Sequence, residues 1–336
     1  MTPVDPSGCS VLAEAVRLWL TPVCYARGMD TLAERALRKL RELHFNHAVR
    51  AVLAAPPVRA VDDGVIIFSM IGTRVLLPYL VAAKSLHARL GRGRFAILDD
   101  GTLTPANKTV LAVQLGNPEI RHIAAVDTGP CPRGGTWERL LTLLDLRRDA
   151  YVIQLDSDTV TVGEVPEVAA AVRTGTNFTL RGESNAEIGP LAQAAAQARA
   201  TESNRHVQAS IERVLDHVTI PGGKALRYVR GCSGFAGFAR SDDGRALAEL
   251  FSQEAQRLLG ADRWAEWGSE QVTSNFVVAN EARVMLLPYA RYFNFWNAGV
   301  PDEARFIHFI GTFRYHRGAY AAAARQAVAG LGCASI

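Results

Sequence analysis

The chain has 336 residues, 49% of them hydrophobic and 21% charged, a balance that suits a folded globular protein with a sizeable core in one large or two ordinary domains. Its formal charge of +4 is scattered, with no basic stripe interleaved with aromatics, so no nucleic-acid partner is expected. Five cysteines (Cys9, Cys24, Cys131, Cys232, Cys333) form no C-x-x-C pair, which excludes a disulfide framework or structural zinc and points to a reducing, cytoplasmic setting.

Residues 1–60 read as a helical N-terminal extension. The opening "MTPVDPSGCS" lacks a basic n-region, so no secretory signal is expected. "VLAEAVRLWL" has helical spacing and stops before Pro22. Thr31 and Glu34 form a capping-box pattern, and Leu32, Ala36, Leu40 and Leu43 follow as an apolar helical face. Arg35, Arg38, Lys39 and Arg41 line the other side. This is either a basic amphipathic helix for an anionic membrane or a partner, or a helix packed on the main domain with a solvated charged face; the second is expected. "AAPPVRAVDDG" (54–64) reads as a linker. The longest apolar stretches, such as 75–83, are too short to span a bilayer, so any membrane contact is peripheral.

From Gly64 short apolar strands alternate with helices. Strands are expected at "VIIFS" (65–69), "RFAILDDG" (94–101), "IRHIAAVD" (120–127) and "YVIQL" (151–155). Helices are expected at "LLPYLVAAKSLHARL", "PANKTVLAVQL" and "TWERLLTLLDLRR" between them. Lys84 is expected on a solvated helix face. This alternation predicts a mostly parallel α/β sheet, whose ligands sit beyond the carboxyl ends of the strands. Asp99, Asp100, Asp156 and Asp158 fall there. Further on, 184–217 reads as Ala- and Gln-rich helix, "GFAGFAR" as a strand, "DGRALAELFSQEAQRLL" and "SEQVTSNFVVANE" as helices, and "RVMLLP" and "RFIHFI" as strands. "YAAAARQAVAGL" closes the chain as a helix, giving a main domain over 61–318 and a C-terminal helix and tail over 319–336.

The stretch "YVIQLDSDTV" carries the chemistry. Two carboxylates on one turn offer hard oxygens to Mn²⁺ or Mg²⁺. The same letters also suit a polar turn after a buried strand. They resemble, too, the first motif of haloacid-dehalogenase-type phosphatases, with Asp156 as nucleophile and Asp158 as acid/base. That reading needs Lys224 and the pair Asp242 and Asp243, and it ranks second because three or four strand–helix units precede the motif. The C-terminal "HFIGTFR" favours the metal. His308 supplies an imidazole ligand, Gly311 permits close backbone approach to a phosphate, and Arg314 neutralises a diphosphate.

Together these residues resemble the GT-A-fold nucleotide-sugar glycosyltransferases, most closely glycosyltransferase family 8 (the glycogenin and bacterial lipopolysaccharide hexosyltransferase family). "GCSGFAGF", "SEQVTSN" and "LLPYARYFN" resemble further family segments in order, over residues 64–316. The resemblance implies a GT-A, Rossmann-like α/β fold and a metal held by Asp156, Asp158 and His308. It implies a donor site that includes Ser69, Arg139, Asp156, Gly311 and Arg314, with Glu270 and Gln271 facing the anomeric carbon. Asp100 joins the donor site by the likeness of its "LDDG" turn to the nucleotide-contacting turn of other, often inverting, GT-A families. Arg139 and Ser69 read equally as a helix-surface arginine and a strand-end cap, and Asp100 as part of a plain Asp-Gly turn. The implied reaction is hexose transfer from a nucleotide diphosphate sugar, UDP-hexose by expectation, to a saccharide, lipid-linked or protein acceptor. Retention is expected; under inversion Glu270 or Glu183 would be the base. Departures are Arg314 for the family's lysine, Cys232 for its asparagine and Glu270 for its aspartate.

Overall fold

The computed structural model describes residues 32–200, 206–222 and 225–332. The expected helix at 11–20, the capping Thr31 and Lys224 lie outside these. Helix α1 (Leu32–Ala48) leads through a short 3-10 turn to the first sheet strand. Strands β1 (Val65–Ile71), β2 (Arg94–Asp99), β3 (Glu119–His122) and β4 (Tyr151–Leu155) are joined by helices α2 (Leu76–Leu90), α3 (Pro105–Leu115) and α4 (Trp137–Leu146). β5 (Thr159–Thr161), α5 (Pro166–Thr174) and β6 (Asn177–Arg181) follow. Then come β7 (Gly189–Pro190), α6 (Leu191–Arg199), α7 (Val207–Glu212), β8 (Arg227–Tyr228) and β9 (Gly231–Phe238). The chain ends with α8 (Ala246–Leu259), α9 (Ala261–Trp264), α10 (Ser269–Ala279), β10 (Val284–Leu286), β11 (Tyr292–Asn294), β12 (Phe306–His308) and α11 (Ala319–Leu331).

The main sheet runs β10-β6-β9-β4-β1-β2-β3. It is mixed and mostly parallel: β9 alone runs antiparallel to both of its neighbours, β4 and β6. This is the mostly parallel α/β sheet flanked by helices that the alternation predicts. All five residues of β4 are buried, as expected of a strand covered on both faces. One face packs under α2, α5 and α11, the other under α4, α8 and α10. A second, three-stranded sheet runs β11-β12-β5. Within the described residues no helix is long and apolar enough to cross a membrane.

The expectations for α1, for Lys84 and for the linker at 54–64 change. The apolar face read for α1 is not the buried one: Leu40 and Leu43 are 63% and 53% exposed, while Glu42, Phe45 and Val49 face the body. Glu42 makes a two-pronged ion pair with Arg74 at 2.7 and 2.8 Å, and Phe45 stacks on Tyr320 with ring centroids 3.9 Å apart. These two tertiary contacts set the rotation of the helix. Lys84 is not solvated but 1% exposed. Its ammonium donates to the carbonyls of Ala55 (3.0 Å) and Val52 (3.4 Å) and to the Gln114 side chain. Residues 52–61 are thereby docked; Val58 N–H donates to Gln114 O at 2.9 Å and Val61 N–H to Gly93 O at 3.2 Å.

Candidate active site

Strand β4 ends at Leu155 and delivers Asp156 beyond its carboxyl end. Asp156 N–H donates to Gly234 O at 2.9 Å, and the Thr159 hydroxyl caps Asp156 O at 2.9 Å. The chain then turns into β5, which pairs antiparallel with β12 so that Thr159 lies opposite His308. Phe309 N–H donates to Asp158 O at 2.8 Å. A strand pairing thus brings together residues 150 positions apart. One ligand atom from each of Asp156, Asp158 and His308 lies within 4.8 Å of the others. His308 Nε2 is 3.3 Å from Asp158 Oδ1.

The imidazole is oriented from behind. Its Nδ1 is 3.1 Å from Asn294 Oδ1, on the neighbouring strand β11. Asn294 commits its amide nitrogen to Arg181 O at 2.8 Å, which leaves the oxygen to accept from Nδ1–H. Burial opposes a charge on the ring, but its neighbours Cys232 and Asp158 outweigh it and raise the imidazole's pKa well above the ordinary value, so Nε2–H faces Asp158. A metal at Nε2 would take the place of that proton, with Nδ1–H still held by Asn294. Cys232 Sγ lies 3.4 Å from the same Nδ1. A Cβ on Gly234 would sit 2.3 Å from His308 Cε1, so a glycine is required where the ring lies against β9. Two carboxylates and an imidazole able to give up its Nε2 proton form a donor set suited to Mn²⁺ or Mg²⁺.

Two guanidiniums hold the carboxylates. Arg139, on α4 and 7% exposed, is ion-paired with Asp156 and reaches Glu270 Oε2 at 3.1 Å and Ser233 Oγ at 3.2 Å. Arg314 is ion-paired with Asp158 and donates to Phe309 O at 3.2 Å. Burial opposes ionisation of Asp158, but Arg314 and His308 outweigh it and hold the carboxyl well below the usual range. Glu270 is 1% exposed, and burial raises its pKa against the pull of Arg139. Its Oε2 also accepts from the Thr136 hydroxyl at 2.9 Å. Thr136 itself is held at φ 76°, an uncommon conformation for a β-branched residue.

The remaining expected site residues are more dispersed. Gln271 is half-buried and donates to Gln208 Oε1 at 3.3 Å rather than to the aspartates. The Ser69 hydroxyl donates to Leu155 O at 2.6 Å, tying β1 to the end of β4. Asp100 accepts from Thr102 N–H at 3.0 Å and the Thr102 hydroxyl at 2.6 Å, within its own turn. Gly311, at φ 46°, opens the short turn that leads to Arg314. Glu183 is exposed, 3.9 Å from Arg230. Asn294, Ser233 and Thr136 had no role in the sequence reading; only the Asn294 position, at the end of "LLPYARYFN", carried a signal.

The acidic pair required for a phosphatase lies elsewhere. Ser241 N–H donates to Arg147 O, which places Asp242 and Asp243 at the start of β4, not its end. The five residues of β4 separate them from Asp156 by roughly 16 Å.

No family model matches the chain, and no curated protein matches it in sequence. Several solved structures resemble it in outline. The galactosyltransferase LgtC, in complex with donor and acceptor sugar analogs, matches with TM-score 0.44 and 15% identity, over 80% of this chain and 95% of that one. Mouse xyloside xylosyltransferase 1 matches with TM-score 0.44 and 15% identity, over 75% of this chain and 98% of that one. The bifunctional glycosyltransferase WbbM matches with TM-score 0.44 and 13% identity, over 76% of this chain; the chain spans 47% of that protein's length.

Proposed function

We propose that the chain is a metal-dependent glycosyltransferase that moves a hexose from a nucleotide diphosphate sugar, UDP-hexose by preference, to an acceptor. The observation that carries this reading is the convergence of Asp156, Asp158 and His308 on one point, flanked by Arg139 and Arg314. Asp158, His308 and Asp156 would hold Mn²⁺ or Mg²⁺, which as a Lewis acid neutralises charge on a leaving diphosphate. Arg314 adds a second cation at the same place, and its exchange from Asp158 to the diphosphate would accompany donor binding. Arg139 holds Asp156 in position and keeps Glu270 sequestered behind it. Retention of configuration is part of the proposal. An inverting enzyme needs a base free to take the acceptor's proton, and the carboxylates nearest the site are ion-paired. Gln271 remains the polar group proposed to face the donor sugar. A cytoplasmic setting goes with the reading, and the described cysteines, Cys131 and Cys232, are free and buried.

The test is release of nucleoside diphosphate from a panel of nucleotide sugars, with and without Mn²⁺. Metal-dependent release that vanishes in Asp158→Ala and His308→Ala is expected. Phosphatase activity that survives His308→Ala but not Asp156→Ala would replace the transferase with the second reading.

A further inference from the structure

One side of the molecule carries an apolar stripe with no partner among the described residues. Leu37, Leu40 and Leu43 follow one another at three-residue steps on α1 and are 47%, 63% and 53% exposed. Single exposed leucines are ordinary, but three in line on one helix form a patch. Arg35, Arg38 and Lys39 beside them are exposed as well. The charge around the stripe is one-sided. α11 packs on α1 through Tyr320 and Phe45, and residues 315–332 include Arg317 and Arg325 but no Asp or Glu. α1 has two acids, Glu34 and Glu42, against Arg35, Arg38, Lys39, Arg41 and the terminal-turn His47, and Glu42 is already engaged by Arg74 at 2.7 Å and Lys39 at 3.8 Å.

An apolar cleft of about 390 Å³ opens beside Leu40. Phe45, Tyr315 and Tyr320 line it, with Arg41, His44 and Arg317 among its walls. The Tyr320 hydroxyl donates to Ser157 O at 3.2 Å, between the two aspartates. The face therefore adjoins the candidate metal loop.

A leucine stripe bordered by guanidiniums matches the headgroup region of an anionic bilayer. Leucines enter the acyl boundary while arginine stems lie along it and place their charges among phosphates. We propose that the face formed by α1 and α11 docks on an anionic phospholipid membrane, with Leu37, Leu40 and Leu43 inserted. Docking this way lays the loop of Asp156 and Asp158 near the membrane surface. It requires nothing of the metal site, so its test is separate from the transferase assay.

The experiment is flotation of the full chain with vesicles of mixed phosphatidylglycerol and phosphatidylcholine, against phosphatidylcholine alone. Binding to the anionic vesicles only, weakened by salt, is expected. The triple variant Leu37→Ser, Leu40→Ser, Leu43→Ser should bind at least ~10-fold more weakly with an unchanged melting temperature. Arg35→Gln and Arg317→Gln should each weaken binding about fivefold. Equal binding to neutral vesicles, no binding, or full binding by the triple variant overturns the proposal. A lower melting temperature or a smaller oligomer in the triple variant also overturns it, because the stripe is then covered by the chain's own N-terminal segment or by a second copy.

Discussion

His308 shows how much of a candidate metal site lies in what surrounds the ligand. Asn294 accepts from Nδ1–H and so leaves Nε2 as the nitrogen able to ligate, and Gly234 leaves the space in which the ring sits. Asn294→Ala should weaken Mn²⁺ affinity by roughly 10–100-fold while the protein stays folded, read by calorimetric titration. Gly234→Ala should do more damage, since its methyl would lie 2.3 Å from the ring and β9 is held on both sides. Loss of Mn²⁺ binding by Gly234→Ala, with the melting temperature lowered by only a few degrees, would match that picture; unchanged binding would contradict it. The sequence marked the ligands because carboxylates and imidazoles stand out in short motifs. It marked the segment that ends in Asn294 but gave that amide no role, and it did not mark Ser233, whose hydroxyl has no distinguishing pattern and gains meaning only from the atom it faces.

At the scale of elements, the helices and strands of the first half were legible, because 3.6- and 2-residue periods are local. α2 spans Leu76–Leu90, as its apolar spacing predicts. The strand read over 120–127 stops at His122 and gives way to a 3-10 turn, since β3 lies at the sheet edge with one pairing partner. What local pattern misses is which face of an element turns inward. On α1 the inward face belongs to Phe45, not to the leucines. Phe45→Ala should cost about 3–5 kcal/mol in urea denaturation, because the ring is buried against Tyr315 and Tyr320. On α2, burial lowers the Lys84 pKa from its ordinary value to about 8. The folded chain thus resists the charged form while the unfolded chain stays protonated up to its higher pKa. Stability should rise as pH climbs through this window, from about 8 to the ordinary lysine value of 10.5. Denaturation midpoints of the wild type should increase over that interval, and those of Lys84→Met should not share the increase.

For the whole molecule, the site sits where the two sheets meet. β4 of the large sheet leads into β5 of the small one within four residues, and β12 returns His308 beside them. The core on either face of the large sheet does not depend on the ligands. Removing metal with a chelator should therefore abolish nucleoside diphosphate release without unfolding the protein. Mn²⁺ with UDP should raise the melting temperature of the wild type, as binding to the folded state alone requires, and leave that of His308→Ala unmoved. A chain that unfolds on chelation would contradict this separation of core and site.

The sequence by itself determined the alternation of strands and helices, the place of two aspartates at the end of a buried strand, and the residue types able to hold a metal. Each depends on neighbours a few positions away. The tertiary structure decided that β5 and β12 pair so that His308 meets Asp158, and that Glu270 turns to Arg139. It also placed Asp242 and Asp243 at the far end of β4 and left the leucines of α1 outward. These depend on strand register and on which side chain meets which across the fold, and no local period encodes a contact between residues 150 positions apart.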